Sequence, residues 1–218
     1  MTSTALIAAD LLALPLPDRE QGLASLPGGE LGVWEAGPGV ETDTEVDEVF
    51  VVLTGRATVE VEGGPTLTVE PGSVVRLHAG DRTTWTVTEP LRKLYVALDE
   101  PVGGLPGERL LAADVRSLEL TGDSEPGSWV EGGWPTARTQ HLGDLAGVRL
   151  SAWEVTAGVV ADLEQDEYLL VLSGAAVVRI EGGPAVELSP HALLRLGEGD
   201  RTEWTVTEDV RAFLVSLG

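Results

Sequence analysis

Apolar and polar residues alternate in short runs along most of the chain, and turn residues separate these runs. Within "ATVEVEGGPTLTVEPG" (57–72), alternate positions of two runs are apolar, namely Val59, Val61, Leu67 and Val69. A period of two places these side chains on one face of a strand. Gly63-Gly64 lies between the runs, as is typical of a hairpin turn. Short strands bounded by turns predict an antiparallel sandwich or barrel. A weak helical pattern covers Glu108 to Val115.

The pattern occurs twice in the chain. Residues 31–99 align without gaps on residues 150–218, with 33 identities in 69 positions. "EGGP" recurs, and "GDRTTWTVTE" returns as "GDRTEWTVTE". An internal repeat of this length predicts two similar domains that each form their own set of strands.

A weaker match precedes each repeat, because "LIAADLLAL" (6–14) resembles "LLAADVRSL" (110–118). The stretch "DEPVGGLPGE" is rich in Pro and Gly, as linkers are. We therefore predict an N-terminal domain at 1–99, a linker at 100–109, and a C-terminal domain at 110–218 with an insertion near 119–137.

Composition narrows the classes of function. The formal net charge is -22, with 36 acidic residues against 14 basic ones. Such a surface repels phosphate backbones and anionic lipid headgroups, so we expect neither nucleic acid nor membrane as a partner. The length of 218 residues is enough for two small domains with cores of their own.

The chain has no cysteine, which excludes disulfides, thiolate metal sites and cysteine nucleophiles. The first twenty residues lack a basic leader, and Asp10 interrupts their apolar run. They match neither a signal peptide nor a membrane span. We expect a soluble, cytoplasmic protein.

An acidic segment precedes the same apolar strand in both repeats. It is "ETDTEVDE" (41–48) in the first repeat and "VADLEQDE" (160–167) in the second. If the first segment is extended, Asp43, Glu45 and Asp47 share one face and Glu48 takes the other. The three odd-numbered acids fit a solvated strand edge, an oxygen-ligand site for Mg²⁺, Ca²⁺ or Mn²⁺, or a surface that attracts cations.

These landmarks resemble the cupin superfamily. Glu48 followed after six residues by Gly55 resembles the end of the first cupin motif, and Pro71-Gly72 followed by "VVRLHAGDRTTW" resembles the second. The "DE" before the strand and the "GDRTxWTV" ending are similar to the subgroup that includes the ethanolamine-utilisation cupin. The resemblance covers both repeats. It implies an all-β fold of two tandem jelly-roll barrels that form an intramolecular pseudo-dimer.

The resemblance also implies a metal held by histidines, and this chain lacks them. The first-motif histidine positions fall on Thr42 and Thr44, or on Glu41 and Asp43, and the second-motif position falls on Thr83. In the second repeat they fall on Ala161 and Leu163, or on Val160 and Asp162, and on Thr202. Imidazole is the usual ligand for transition metals in such barrels. We therefore predict no metal site and no cofactor, with a divalent metal on carboxylates as the alternative.

On the cupin template, Glu48 and Glu167 point into the barrels. A carboxylate buried there must be paired, protonated or functional. Glu48 is accordingly a candidate catalytic acid or base, and Arg76 and Arg195 are candidate partners for the two carboxylates. A structural ion pair is the alternative.

The other candidate residues would bind a ligand. Trp85 and Trp204 share a strand face with Thr83 and Thr202, and either stack on a ligand or fill the core. Lys93 and Tyr95 have no copies in the second repeat, where Ala212 and Leu214 replace them. This asymmetry directs the search for a site to the first repeat. The candidate ligand-binding set is Trp85, Thr83, Arg76, Tyr95, Lys93, Glu167, Trp204 and Arg195.

Three functions follow from these features. The first is a metal-independent bicupin, monomeric or homodimeric, that binds a small polar or cationic molecule, and the sequence leaves open whether it is also an enzyme. The second is a divalent-metal hydrolase resembling the bicupin ureidoglycine aminohydrolases. The third is a structural or interaction protein with both barrels filled by side chains.

Overall fold

The computed structural model describes residues 9–102, 108–121, 125–126 and 135–218. Strands make up its regular structure apart from one 3-10 helix, Pro17–Arg19. No helix in the described ranges is long and apolar enough to cross a membrane. The strands are β1 (Ala9–Asp10), β2 (Glu20–Leu26), β3 (Gly29–Ala36), β4 (Gly39–Thr44), β5 (Glu48–Val61), β6 (Thr66–Val69), β7 (Val74–Leu77), β8 (Arg82–Leu98), β9 (Leu110–Ala112), β10 (Glu125–Pro126), β11 (Thr136–Leu145), β12 (Val148–Val155), β13 (Gly158–Leu163), β14 (Glu167–Ile180), β15 (Ala185–Leu188), β16 (Ala192–Leu196) and β17 (Arg201–Leu217).

The strands form two antiparallel jelly-roll units, as the repeat predicts. One sheet has the order β2-β3-β8-β5-β7-β9, with β4 on β8 and β6 on β5. The other has the order β1-β16-β14-β17-β12-β11-β10, with β13 on β17 and β15 on β14. The fold class is confirmed, while the pairing of the two barrels as a pseudo-dimer stays a prediction.

The long strands β5 and β8 bend around the N-terminal barrel. Their register shifts between Val52 and Ala57, which is where the bend occurs. Gly55 lies in this segment with a φ of 88°, and a side chain there would collide with the backbone of Pro90 and Leu91. Gly174 repeats this geometry in the C-terminal barrel, with a φ of 89°. The glycine of the motif is therefore needed for the bend.

The alternating pattern predicts the core correctly. Val59, Val61, Leu67 and Val69 are buried. Gly63, with a φ of 70°, turns the chain between β5 and β6. Side chains from one face of each bent strand pack together inside the barrel, so each barrel has its own apolar core.

The segment that precedes each repeat joins the barrel of the other repeat. In β1, Ala9 pairs with Leu193 of the C-terminal barrel, whereas β9 pairs with Val74 and Val75 of the N-terminal barrel. The two attachments are equivalent. The Leu11 amide donates to the His191 carbonyl over 3.0 Å, and the Val115 amide donates to the Gly72 carbonyl over 2.8 Å.

Because each leading segment pairs with the barrel of the other repeat, the compact units differ from the predicted domains. One compact unit is Pro15–Ser117, and the other starts at Leu118 and includes the segment before Pro15. The predicted boundaries of 1–99 and 110–218 assigned each leading segment to the repeat that follows it in sequence. The helix predicted near 108–115 is wrong, because β9 is a strand that pairs with β7. Most of the predicted insertion near 119–137 lies outside the described residues.

Replacing Leu11 with alanine is expected to destabilise the C-terminal unit by about 2–5 kcal/mol, because Leu11 is fully buried there. Hydrogen exchange measured by mass spectrometry should show faster exchange in 118–218 and unchanged exchange in 15–117. Val115→Ala is the matched control and should act on the other unit. If each variant showed faster hydrogen exchange in both units, the result would contradict the pairing of each leading segment with the barrel of the other repeat.

Candidate functional site

A buried ion pair lies in the wall of the N-terminal barrel. Glu48 begins β5, and Lys93 lies on β8 opposite Val52. The Lys93 ammonium donates to Glu48 Oε1, and only 5% of Lys93 and 8% of Glu48 is exposed. The carboxylate predicted to need a partner therefore has one, and it is the single lysine of the chain.

Aromatic rings surround the ammonium. Lys93 Nζ lies 4.4 Å from the ring centre of Phe50 and 5.2 Å from the ring centres of both Trp34 and Trp85. Tyr95 is slightly farther away, at 5.9 Å. Ring faces within about 6 Å of a cation attract it. The rings and Glu48 together form an ammonium cage in which Lys93 is the occupant.

The predicted arginine partners are wrong. Arg76 pairs in register with Val49 and not with Glu48, so it lies on the other face of the sheet. Arg195 lies opposite Tyr168, donates to Asp166, and stacks its guanidinium 5.3 Å from the Tyr168 ring. Each arginine lies opposite the residue that follows the glutamate, and successive side chains of a strand point to opposite faces. Neither arginine therefore reaches the inward glutamate of its barrel.

The acidic segment 41–48 does not alternate as one continuous strand, because β4 ends at Thr44. Asp43 is exposed, as a strand edge predicts. Glu45 turns inward and accepts hydrogen bonds from the Thr83 hydroxyl and from Trp85 Nε1, the latter over 2.9 Å. Asp47 is buried and accepts from the backbone amides of Ala79 and Val102. The solvated-edge interpretation is thus wrong for Glu45 and Asp47.

A cavity of about 340 Å³ opens beside the ion pair. Its solvent side consists of exposed residues, among them Glu20, Glu41 and Asp43, and its deep side of buried ones. Of the predicted site residues, Glu48, Trp85, Lys93 and Tyr95 line it, whereas Thr83 reaches it through Glu45. The full lining is Glu20, Trp34, Glu41, Thr42, Asp43, Thr44, Glu45, Val46, Glu48, Trp85, Lys93 and Tyr95.

Burial sets the electrostatics of this cavity. Loss of solvation raises the pKa of the Glu48 carboxyl, an effect that the Lys93 ammonium opposes. Burial also raises the pKa of the Tyr95 hydroxyl, and the neighbouring Glu20 and Glu30 raise it further. The hydroxyl stays protonated and donates to Glu30 Oε1 over 2.8 Å. Tyr95 therefore offers the cavity a neutral aromatic wall.

The C-terminal barrel has the two inward carboxylates of this arrangement but not its lysine. Glu164, the equivalent of Glu45, accepts from the Thr202 hydroxyl and from Trp204 Nε1. Glu167, the equivalent of Glu48, accepts from the Ser216 hydroxyl over 3.1 Å, and Ala212 stands where Lys93 would be. Burial, followed by the nearby Glu164 carboxylate, raises the pKa of Glu167 to about 7.

The residues present do not fit a histidine metal centre. Within the described ranges, no group of three His, Cys, Asp or Glu side chains is placed to hold a metal ion. In the N-terminal barrel the inward carboxylates are already engaged, Glu48 by Lys93 and Glu45 by Thr83 and Trp85.

Sequence reasoning missed two parts of the site. Glu45 was grouped with the edge acids, and Trp34, which is half-buried and lines the cavity, is absent from the candidate set. A signal was present, because Glu45, Trp34 and Trp85 are identical in both repeats as Glu164, Trp153 and Trp204. Residues retained together in both copies point to a shared contact.

The chain has two jelly-roll barrels, and an inward glutamate begins a long inner strand in each, β5 in the first and β14 in the second. These features define a double-domain cupin. The sequence profile of the EutQ-like cupin domain matches residues 24–95 and again residues 142–212. The chain therefore belongs to the EutQ-like cupin family. No curated protein sequence matches it significantly.

Solved structures share the fold over nearly the whole chain. A protein of unknown function of the DUF861 family from Pseudomonas syringae pv. tomato is 18% identical, with a TM-score of 0.70, and the match covers 96% of this chain and 97% of that one. A putative glyoxylate-induced protein from Pseudomonas aeruginosa is 17% identical (TM-score 0.63, 96% and 83% covered). A salicylate 1,2-dioxygenase from Pseudoaminobacter salicylatoxidans is 16% identical (TM-score 0.61, 94% and 78% covered). At these identities the likeness shows the fold alone.

Proposed function

We propose that the N-terminal barrel binds a small cationic molecule, such as a primary amine, without a transition metal. The observation that carries this proposal is the open cavity, which has acids at its solvent side and aromatic rings at its deep side. Its volume of about 340 Å³ suits a small molecule. A barrel filled by Trp85, as a purely structural role requires, would leave no such space.

The charges favour a cation over an anion. Five carboxylates line the cavity against one ammonium, and that ammonium is already paired with Glu48. Arg19 pairs with Glu41 over 2.9 Å, but both side chains are about half exposed and water screens their attraction. The remaining acids, Glu20, Asp43 and Glu45, give the cavity a negative potential that concentrates cations.

The walls supply contacts for the same ligand class. Trp34 and Trp85 line the cavity with their rings 6.0 Å apart, and indole faces attract ammonium groups. Glu45 holds its carboxylate in place through Thr83 and Trp85, so the acceptor is fixed before a ligand arrives. An amine could donate to Glu45 while its alkyl part lies against an indole.

Binding is better supported than catalysis by Glu48. A general acid or base has to reach the reacting proton, and Glu48 is held by Lys93 inside the ring cage. The alternative of a divalent-metal hydrolase has less support, because no group of three His, Cys, Asp or Glu side chains among the described residues is placed to hold a metal ion.

The N-terminal barrel is expected to bind ethylammonium and not ethanol at pH 7.5 and low salt, as followed by the indole N–H signal of Trp85, which lines this cavity, in ¹H–¹⁵N spectra. Glu45→Gln should weaken the binding at least tenfold, since a charge-assisted hydrogen bond contributes about 1.5–3 kcal/mol. Glu100→Gln is the control, because it removes the same charge from an exposed position outside the cavity. Equal binding of ethanol, or an equal loss in both variants, would contradict the proposal.

A further inference from the structure

The C-terminal barrel retains three of the five groups that surround the Lys93 ammonium in the N-terminal barrel, namely the carboxylate and the two indoles. Glu167 occupies the position of Glu48, at the start of the equivalent strand β14. Trp153 and Trp204 occupy the positions of Trp34 and Trp85. Their rings are 5.7 Å apart and inclined by 59°, against 6.0 Å and 52° in the N-terminal pair. The carboxylate and the two indoles of the ammonium cage are therefore present in both barrels.

The occupant of the cage is missing from the second copy. Ala212 pairs with Val171 as Lys93 pairs with Val52, so the alanine lies where the lysine would begin. Alanine lacks the alkyl chain and the ammonium group with which Lys93 contacts the aromatic rings of the N-terminal barrel. Among the described residues, no lysine or arginine forms an ion pair with Glu167 or Glu164.

Two inward carboxylates without a cation are costly to bury. Glu164 is buried, and its oxygen accepts from Thr202 and Trp204. Glu167 accepts a single hydroxyl hydrogen bond, from Ser216. A carboxylate has room for about four hydrogen bonds, so Glu167 has acceptor capacity that the described side chains leave unused.

Solvent reaches Glu167 more easily than Glu48. Glu167 is half-buried, whereas Glu48 is buried. The neighbouring substitutions fit this difference, because Leu214 replaces Tyr95 and Leu169 replaces Phe50, so two of the four rings are absent. A dissolved molecule can therefore approach this carboxylate, which has no internal cation beside it.

We propose that the C-terminal barrel binds a small primary ammonium ion, which occupies the place that Lys93 fills in the N-terminal barrel. The ammonium donates to the Glu167 carboxylate and lies against Trp153 and Trp204. The alkyl part of the ligand replaces the lysine side chain that Ala212 omits. This site is separate from the N-terminal cavity and goes beyond the function proposed there.

The test follows the indole resonances in ¹H–¹⁵N spectra while ethylammonium chloride is added at pH 8 and constant ionic strength. The Trp204 Nε1–H signal, assigned with Trp204→Phe, should shift saturably, because this group donates to Glu164 beside the site. Glu167→Gln should weaken the effect at least tenfold. Ala212→Lys installs the internal ammonium and should abolish the shift of Trp204 while any response of Trp85 persists.

An absent Trp204 shift in the wild-type protein would overturn the proposal, as would an unchanged titration in Glu167→Gln. A response of Trp85 alone would leave the N-terminal function standing and remove the C-terminal site. If Ala212→Lys does not fold, Ala212→Met fills the alkyl space without charge and should likewise block ethylammonium. Binding that survives Ala212→Met would also overturn the proposal.

Discussion

Lys93→Met is expected to destabilise the N-terminal unit by about 3–5 kcal/mol at pH 8, because Glu48 would remain as a buried carboxylate without its ammonium. Methionine keeps most of the volume against Phe50 and Trp85, so lost packing contributes little. Urea denaturation, monitored by the hydrogen exchange of residues 15–117, measures the effect on this unit.

The loss should be smaller at pH 5. Burial raises the pKa of Glu48, and removing Lys93 takes away the cation that lowers it. A carboxyl whose pKa is raised in the folded state contributes stability at low pH that is lost as the pH rises through that value. The destabilisation of Lys93→Met therefore grows from pH 5 to pH 8.

The double variant Lys93→Met, Glu48→Gln separates charge from packing. It should recover most of the loss at pH 8, since neither partner is then charged. Ala212→Met is the matched change in the C-terminal barrel and removes no cation. A double variant as unstable as Lys93→Met alone would show that the ion pair is not what Lys93 contributes.

Local patterns predicted the strands and much of the N-terminal site. Alternation placed Val59 and Val69 in the core, and the shared strand face of Thr83 and Trp85 brought both side chains to Glu45. The loss of Lys93 and Tyr95 from the second repeat directed the search to the first barrel, where both line the cavity. Period and repeat comparison suffice for contacts along one strand.

Contacts between distant strands could not be predicted in this way. Arg76 looked suitable as a partner for Glu48, but register decides the face, and a shift by one residue moves a side chain to the other face. Glu45 depended on the end of β4 at Thr44, and element ends are poorly marked in sequence. The segment around Leu11 pairs with His191, which is nearly the whole chain length away, and a local sequence pattern does not encode such a contact.

The C-terminal unit is expected to lose stability between about pH 4.5 and pH 7 because of Glu167. Its pKa is about 7 in the folded protein, above the ordinary value of 4.5, so the folded state binds the proton more tightly. This stabilisation is fully present below the unfolded pKa and is gone above the folded pKa. At about 1.4 kcal/mol per pKa unit the change in the free energy of unfolding is at most about 3.5 kcal/mol, and solvent screening of this partly exposed group reduces it.

Glu167→Gln removes the titrating group and shows its effect directly. The variant should match the wild-type protein near pH 4.5 and exceed it in stability at pH 8, as measured by urea denaturation across that range. Glu203→Gln is the control, since Glu203 is exposed on β17 in the same unit. A stability difference between Glu167→Gln and the wild type that stays constant with pH would mean that Glu167 titrates as an ordinary carboxyl. A difference that grows from pH 4.5 to pH 8 would show that the folded protein raises the pKa of Glu167, as its burial and the nearby Glu164 carboxylate require.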